Sequence, residues 1–242
     1  MNRTLSVAAA GMATQQTVLD VISANLANVD VAGFRASRAD FATFIGADGR
    51  LLAPRATTER TFAQGRLDFT DNPNDFAIDG AGFFAVRTMH GDRAFTRAGD
   101  FTPDANGRLR LRNAAVLEGV RLPAGTTAFA VDEHGYVRAR IAGRAGEFPA
   151  GSIRLASFGN PAGLRLADDG LFYASGRSGA PHFGSPGAGF GAIKQRWLER
   201  ANISVVAAMM AVLAAQRAYE ANAKAVQAAD EMLRLANNLE RN

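Results

Sequence analysis

The stretch TLSVAAAGMATQQTVLDVISANLANVD, residues 4–30, decides how this chain is organised. Its apolar positions recur at alternating steps of three and four residues, which is the spacing of one helix face and of a coiled-coil seam. A single polar residue interrupts the row. We therefore predict a long N-terminal helix whose apolar face needs a partner. The row consists of Leu5, Ala8, Met12, Gln15, Leu19, Ile22, Leu26 and Val29.

The other end of the chain repeats this pattern over residues 200–239, with polar interruptions at two positions. Two terminal helices with matching apolar faces are predicted to pair with each other, with neighbouring copies of the chain, or with both. The second row consists of Val205, Met209, Val212, Gln216, Tyr219, Ala223, Val226, Asp230 and Leu233.

The middle of the chain has a different pattern. Short apolar and aromatic runs alternate with turn sequences such as Asp-Asn-Pro-Asn and Asp-Ala-Asn-Gly, which is typical of an antiparallel β domain. The predicted fold class is therefore α+β, with the helices forming a coiled-coil-like helical domain. Residues 1–35 and 191–242 are expected to form the helical domain. An extended connector is expected at 36–64, with a turn at 47–49, and an inserted antiparallel all-β domain at 65–190.

The end of the first helix holds two asparagines, Asn25 and Asn28, that share a face. Either they cap helix carbonyl groups, or they fix the register of a helix interface, as a buried asparagine does in coiled coils. Gly33 follows at a predicted helix stop, where glycine adopts the left-handed conformation without steric cost.

Composition excludes several classes of function. The chain of 242 residues has no cysteine, so disulfides, thiolate metal sites and cysteine nucleophiles are excluded. Its net charge of +4 is scattered along the sequence, which argues against a nucleic-acid binder. The alternating Arg108, Arg110 and Arg112 favour a solvated strand face over a specific anion site. No apolar run reaches the roughly 18 residues of a membrane span. The amphipathic pattern continues to Val29, so we expect no cleaved signal peptide.

No convincing catalytic, cofactor or metal site is predicted, and we expect that the protein is not an enzyme. The histidines lie beside glycine or proline in predicted turns and lack the spacing of zinc ligands. The paired aspartates lie in turn-forming contexts, and the Gly-Ala-Gly motifs do not precede helices of the phosphate-binding type. The residues concerned are His90, His134, His182, Asp71, Asp75, Asp168, Asp169, Gly80, Gly82, Gly187 and Gly189.

Four segments, in the same order along the chain, resemble the signatures of bacterial flagellar axial proteins, the rod and hook family. The likeness is greatest to the distal rod protein, with a proximal rod or hook-type protein as the alternative. Departures include Arg196 at a usual glycine position. The matching segments are 23–28 with Gly33-Phe34-Arg35, 64–67 with 72–84 and Thr96-Arg97, 158–164, and Leu198-Glu199 with Asn202 and 216–220. The signature turn residues are Gly33, Phe34, Gly65, Pro73, Gly80 and Gly82.

This resemblance implies a structural subunit of the basal-body rod, a helical tube that transmits torque and encloses the export channel. It implies export through the flagellar type III apparatus and a periplasmic location. The implied partners are other copies of the chain and other rod, hook and ring proteins, without nucleic acid. A lone copy is expected to have disordered ends that become ordered on assembly. The rival class is a secreted β-domain protein that binds or acts on peptidoglycan.

The two apolar rows supply the predicted assembly interface. On the N-terminal helix it comprises Leu5, Met12, Leu19, Ile22, Asn25, Leu26, Asn28 and Val29. On the C-terminal helix it comprises Asn202, Val205, Met209, Val212, Gln216, Tyr219, Val226 and Leu233.

Overall fold

The structure is a computed structural model that describes residues 2–42 and 55–239. Helix α1 spans Asn2–Ala27 and helix α2 spans Val205–Leu239, with strands between them. The predicted α+β class is confirmed, with two helices and several antiparallel sheets among the described residues. The turn predicted at 47–49 lies outside the described residues.

Every strand pairing between named strands is antiparallel, as predicted for the middle of the chain. The strands are β1 Ser37–Ala42, β2 Arg55–Arg60, β3 Leu67–Phe69, β4 Phe76–Asp79, β5 Phe83–Arg87, β6 Arg93–Thr96, β7 Thr102–Pro103, β8 Leu109–Arg110, β9 Val116–Leu117, β10 Thr126–Val131, β11 Tyr136–Ile141, β12 Phe148–Ser152, β13 Leu155–Ser157, β14 Arg165–Leu166, β15 Phe172–Tyr173, β16 His182–Gly184, β17 Ala192–Gln195 and β18 Trp197–Glu199.

The chain divides into two compact units. The helical unit contains Met1–Val29, Ala36–Thr61 and Ile203–Asn242, and the β unit contains Asp30–Arg35 and Phe62–Asn202. In the helical unit α1 packs against α2 and also contacts the β1–β2 hairpin. The β unit therefore includes a short piece of chain, residues 30–35, that directly follows the N-terminal helical segment.

Small side chains lie where the two helices approach each other. A Cβ atom added to Gly11 would lie 3.0 Å from Nδ2 of Asn222, so the helices come close at this point. Thr14 on α1 and Ala215 on α2 are both buried. The Thr14 hydroxyl donates to the Ala10 carbonyl over 2.7 Å, which satisfies its polar group within α1.

The β unit is built on a nine-stranded sheet in which β5 and β6 pair centrally and β13 joins the edge of β5. Strands β10, β11 and β12 form a second sheet. One core cluster contains Phe76, Phe84 and Phe101, and the other contains Phe83 and Phe95. These aromatic side chains supply much of the apolar surface that the unit buries.

The segment before α2 differs from the sequence-based expectation of helix from residue 200. Strands β17 and β18 pair with β4 and β3, so residues 192–195 and 197–199 are extended. Helix α2 begins only at Val205, because Ser204 provides the N-cap: its Oγ accepts a hydrogen bond from the Ala207 N–H over 3.3 Å. Residues 37–42 and 55–60 of the predicted connector form the β1–β2 hairpin.

Candidate assembly site

The predicted interface residues of α1 are partly covered. Met12, Leu19, Ile22, Leu26 and Val29 are each half-buried. Half-burial leaves apolar surface on each of these side chains that a further partner can cover. The side chain of Leu5 lies outside those described. Whether these residues mediate assembly stays a prediction.

The two asparagines at the end of α1 form hydrogen bonds within the helical unit. Asn25 Nδ2 donates to the Ser37 carbonyl over 2.7 Å, and Asn25 Oδ1 accepts from the Ser37 N–H over 2.9 Å. The amide thus pairs with the first residue of β1 as a neighbouring strand would. Asn28 Nδ2 donates to the Ala24 carbonyl over 2.7 Å, which caps the last turn of α1.

The predicted interface residues of α2 divide into covered and uncovered sets. Val212 and Val226 are half-buried, whereas Val205, Met209, Gln216 and Tyr219 are exposed. Asn202, just before the helix, belongs to the β unit, where its Nδ2 donates to the Ala63 carbonyl over 2.9 Å. The side chain of Leu233 lies outside those described.

A continuous apolar surface remains uncovered on the first turns of α2. We call it the α2 stripe and define it as Val206, Met209, Met210 and Leu213. The spacing i, i+3, i+4 and i+7 places these side chains on one helix face. Their exposed fractions run from 56% at Met209 to 70% at Val206. Residues 205–216 contain no charged side chain, so burial of this face would not require any charge of this segment to lose its hydration.

A buried ionic cluster lies in the β unit, and three distant parts of the chain contribute to it. Arg35 Nη2 donates to Glu199 Oε1 over 2.7 Å, and Arg97 Nη1 donates to Glu199 Oε2 over 3.1 Å. We call these three residues the Glu199 cluster. Gly65 N–H also donates to Glu199 Oε1, over 2.8 Å. One carboxylate therefore holds together the segments that contain residues 35, 65 and 97.

The Glu199 cluster has an excess of positive charge. Two arginines share one carboxylate, and all three side chains are nearly inaccessible to solvent. Burial lowers the pKa of the Arg97 guanidinium to about 10, so it stays charged at neutral pH. Nε and Nη1 of Arg35 and Nε of Arg97 have no hydrogen-bond partner among the described residues. Such a cluster tolerates the loss of its only carboxylate poorly.

The signature glycines surround this cluster. Gly33 is buried with φ +66°, and a Cβ atom there would lie 2.2 Å from the Arg97 carbonyl carbon. A Cβ atom on Gly65 would lie 1.9 Å from the Arg200 carbonyl oxygen. The Gly80 carbonyl accepts from Arg97 Nη2 over 2.6 Å. These positions need glycine because the neighbouring backbone leaves no room for a side chain.

The remaining signature turn residues, Phe34, Gly82 and Pro73, make contacts with other parts of the β unit. The Phe34 carbonyl accepts from the Asn202 N–H over 3.4 Å. Gly82 has φ +127° and faces Leu155. The Pro73 carbonyl accepts from Gln195 Nε2 over 2.7 Å. The last contact fixes the turn before β4 to strand β17.

The sequence-based reasoning missed the Glu199 cluster because its ionic partners are up to 164 positions apart. One signal was present: Arg35, Arg97 and Glu199 each stand inside a family signature and close to a signature glycine or asparagine. A charged residue within a glycine-rich turn motif is a candidate for burial when its backbone neighbours must pack closely.

Hydrogen bonds and ion pairs engage Asp71 and Asp75, two of the four acidic residues considered as cation ligands. Asp71 pairs with Arg196, and Asp75 accepts from the Thr70 hydroxyl and the Asn72 amide. Among the described residues no group of three histidine, aspartate or glutamate side chains is arranged to hold a metal ion. Within the same residues, neither helix has a segment long and apolar enough to cross a membrane.

Comparison with known proteins gives matches along nearly the whole chain. Three family models match: "Flagella basal body rod protein" over residues 5–35, "Flagellar hook protein FlgE/F/G D1 domain" over 77–139, and "Flagellar basal body rod FlgEFG protein C-terminal" over 194–239. The first covers the predicted N-terminal interface, and the third contains Glu199 and α2.

Individual relatives give the same result. The flagellar basal-body rod protein FlgG of Caulobacter vibrioides is 32% identical over 97% of this chain and 98% of its own length. The FlgG protein of Borreliella burgdorferi is 36% identical over the full length of both chains. The flagellar hook protein FlgE of Rhizobium meliloti is 32% identical over half of this chain and 31% of its own length.

Proposed function

This chain belongs to the family of the flagellar basal-body rod protein FlgG, and on that premise we propose that it is a structural subunit of the rod. The distal rod is favoured over the proximal rod, because the relatives that match end to end are FlgG proteins. The role is one of assembly rather than of catalysis, in keeping with the names of these relatives.

One observation carries the proposal from family to mechanism: α2 presents the uncharged α2 stripe to solvent. Soluble proteins that work as monomers rarely expose a continuous apolar helix face. A helix gains most of its stability from packing such a face. We infer that neighbouring copies cover the α2 stripe, and that the terminal helices make coiled-coil-like contacts along their other faces.

The lengths of the helices suit a tube wall. With 26 residues α1 is about 39 Å long, and with 35 residues α2 is about 53 Å long, at 1.5 Å per residue. Head-to-tail contacts that do not close into a ring generate a helical filament. Many helices side by side would resist torque together and enclose a channel.

The proposed partners follow from this role. They are other copies of the chain, then other rod, hook and ring proteins, and the type III apparatus that exports the subunit without signal cleavage. The proposed location is the periplasmic part of the basal body. Disordered ends in the exported subunit would pass a narrow channel and become ordered when their apolar faces are covered.

The rival class, a peptidoglycan-binding or peptidoglycan-cleaving β domain, has less support. Such an enzyme needs paired carboxylates in a cleft or a bound metal. Asp71 and Asp75 are instead engaged by arginine, hydroxyl or amide partners. Incubation with purified cell-wall material would give released fragments only under the rival hypothesis.

Electron microscopy of isolated basal bodies tests the proposal. A strain that lacks this gene should yield basal bodies with a truncated or absent rod, and the intact gene should restore it. Loss of only the part next to the hook would identify the distal rod, and loss of the whole rod would identify a proximal component. Basal bodies with complete rods in the deletion strain would overturn the proposal.

A further inference from the structure

A partly exposed aromatic pair lies on the β3–β18 ribbon of the β unit: Phe69 is exposed and Trp197 is half-buried. Phe69 and Trp197 are register partners, and their rings meet edge-on with centroids 5.5 Å apart. The Phe69 side chain is 59% exposed. Lys194 Nζ lies 5.5 Å from the centre of the Trp197 ring. A half-buried tryptophan next to an exposed phenylalanine and a cationic side chain is typical of the centre of a protein interface.

Each basic side chain named around this pair already has a carboxylate partner within the chain. Asp68 pairs with Arg66 over 2.7 Å and with Arg200 over 3.0 Å, and these hydrogen bonds lower the pKa of the Asp68 carboxyl. Lys194 pairs with Asp79 over 2.6 Å. Arg66 and Arg200 share one carboxylate, and an uncharged surface can cover the aromatic pair without breaking any of these ion pairs.

Unusual backbone conformations occur at the same end of the ribbon. Asp71 has φ +59° and Arg196 has φ +68°, a region that glycine occupies without steric cost. The two side chains form an ion pair with each other. Arg196 directly precedes the half-buried Trp197 and holds this backbone conformation at a conformational cost.

We propose that Phe69 and Trp197 form a docking surface for the α2 stripe of a second copy of this chain. The inference rests on the proposed function and specifies one contact of the filament. A filament that grows head to tail needs two different surfaces on each subunit that fit each other. The aromatic pair, through exposed Phe69 and the uncovered part of Trp197, and the α2 stripe both leave apolar surface in contact with water, and they differ from each other.

The chemistry of the two surfaces matches. Met209 and Met210 are flexible side chains whose sulfur atoms make favourable contacts with aromatic rings. Residues 205–216 bring no charge into the contact, so only apolar area is removed from water. The paired arginines and Lys194 would remain at the wet rim, where ion pairs contribute little and set orientation.

The chain contains a single tryptophan, so its fluorescence reports on this surface directly. We expect the Trp197 emission of the native protein to shift to shorter wavelength on assembly, as water leaves the ring. Phe69→Ser should raise the concentration needed for assembly at least about tenfold, which corresponds to the loss of one interface anchor. Met89→Ser is the matched control, because Met89 is 81% exposed elsewhere on the β unit and should leave assembly unchanged.

A mixing experiment identifies the occupant. Phe69→Asp removes the docking surface but keeps the α2 stripe, and Met210→Asp does the reverse. Neither variant alone should show the Trp197 shift, whereas their mixture should, because the stripe of the first covers Trp197 of the second. Circular dichroism melting of each variant checks that the β unit is folded.

The other outcomes overturn the inference. A shift in Met210→Asp alone would mean that two aromatic pairs meet each other. If the native protein assembles without a shift of the Trp197 emission, and Trp197 stays accessible to iodide, the α2 stripe does not cover this surface. A different macromolecule would then have to bind there. Either result leaves the rod proposal intact, since that depends on the basal bodies of the deletion strain.

Discussion

Arg35 Nη2 lies 2.7 Å from Glu199 Oε1, and this pair joins the residues that follow one terminal helix and precede the other. Arg35 stands eight positions after the last residue of α1, and Glu199 six positions before the first residue of α2. Both side chains are buried in the β unit. The two chain segments that lead to the helices are thus held together by one ion pair in the β unit.

We expect Glu199→Gln to destabilise the β unit by about 3–5 kcal/mol, because it leaves Arg35 and Arg97 buried without a counter-charge. The neutral amide keeps the size of the side chain, so the effect is electrostatic. The free energy of unfolding from a urea titration, followed by circular dichroism, measures it.

Asp71→Asn is the matched control for that variant. It removes the carboxylate of the ion pair with Arg196, whose side chains are both exposed, and such pairs contribute about 0–1 kcal/mol. If Glu199→Gln and Asp71→Asn cost the same, the Glu199 cluster does not stabilise the unit electrostatically.

Gly65→Ala should destabilise the β unit by about 1–3 kcal/mol or more, because the new Cβ atom would lie 1.9 Å from the Arg200 carbonyl oxygen. The backbone must move apart, which weakens the Gly65 N–H bond to Glu199. Gly176→Ala serves as control, since a Cβ atom there meets nothing within 4 Å. We expect the control to be neutral or slightly stabilising by thermal melting. Equal melting temperatures for the two variants would contradict the close packing around Gly65.

The sequence was sufficient to predict the two helices and the antiparallel strands in the middle of the chain, because both have a periodic pattern. The three-four row from Met12 to Val29 and the turn residues between short apolar runs are local signals. Helix α2 begins at Val205 and not at residue 200 as predicted, because the preceding segment belongs to the β unit. Trp197–Glu199 pair with β3, and Asn202 donates to the Ala63 carbonyl; these contacts join residues far apart in the sequence, which no local period encodes.

The interface was the harder part to predict, and the reason is geometric. The coiled-coil row assigns Met209 and Val212 to one seam, but Val212 is half-buried while Met209 belongs to the exposed α2 stripe. A row of apolar residues shows that a helix has an apolar face, but it does not show how wide that face is. The additional side chains Val206, Met210 and Leu213 widen the face of α2, so one helix partner cannot cover all of it.

Leu19→Asp should abolish polymerisation while the β unit remains folded, because a carboxylate on the half-buried face of α1 opposes its packing. Leu26→Asp should have the same effect, and Leu19→Met should assemble normally since it keeps volume and apolarity. Sedimentation of assembled protein gives the polymer fraction, and near-ultraviolet circular dichroism reports on the aromatic cores. Motility of cells that carry either aspartate variant would show that the predicted α1 interface is wrong.

Hydrogen exchange distinguishes a preformed helical unit from one that becomes ordered on assembly. In a lone copy, amides of residues 5–29 should exchange quickly, because α1 is mostly half-buried and α2 exposes its stripe, so local opening costs little. In the polymer the same amides should be protected, since neighbouring copies cover both helices. Amides of β5, in the core of the β unit, are the internal control and should be protected in both states. Strong protection of residues 5–29 in a verified monomer would mean that the helical unit is stable by itself, and ordering on assembly would have to be abandoned.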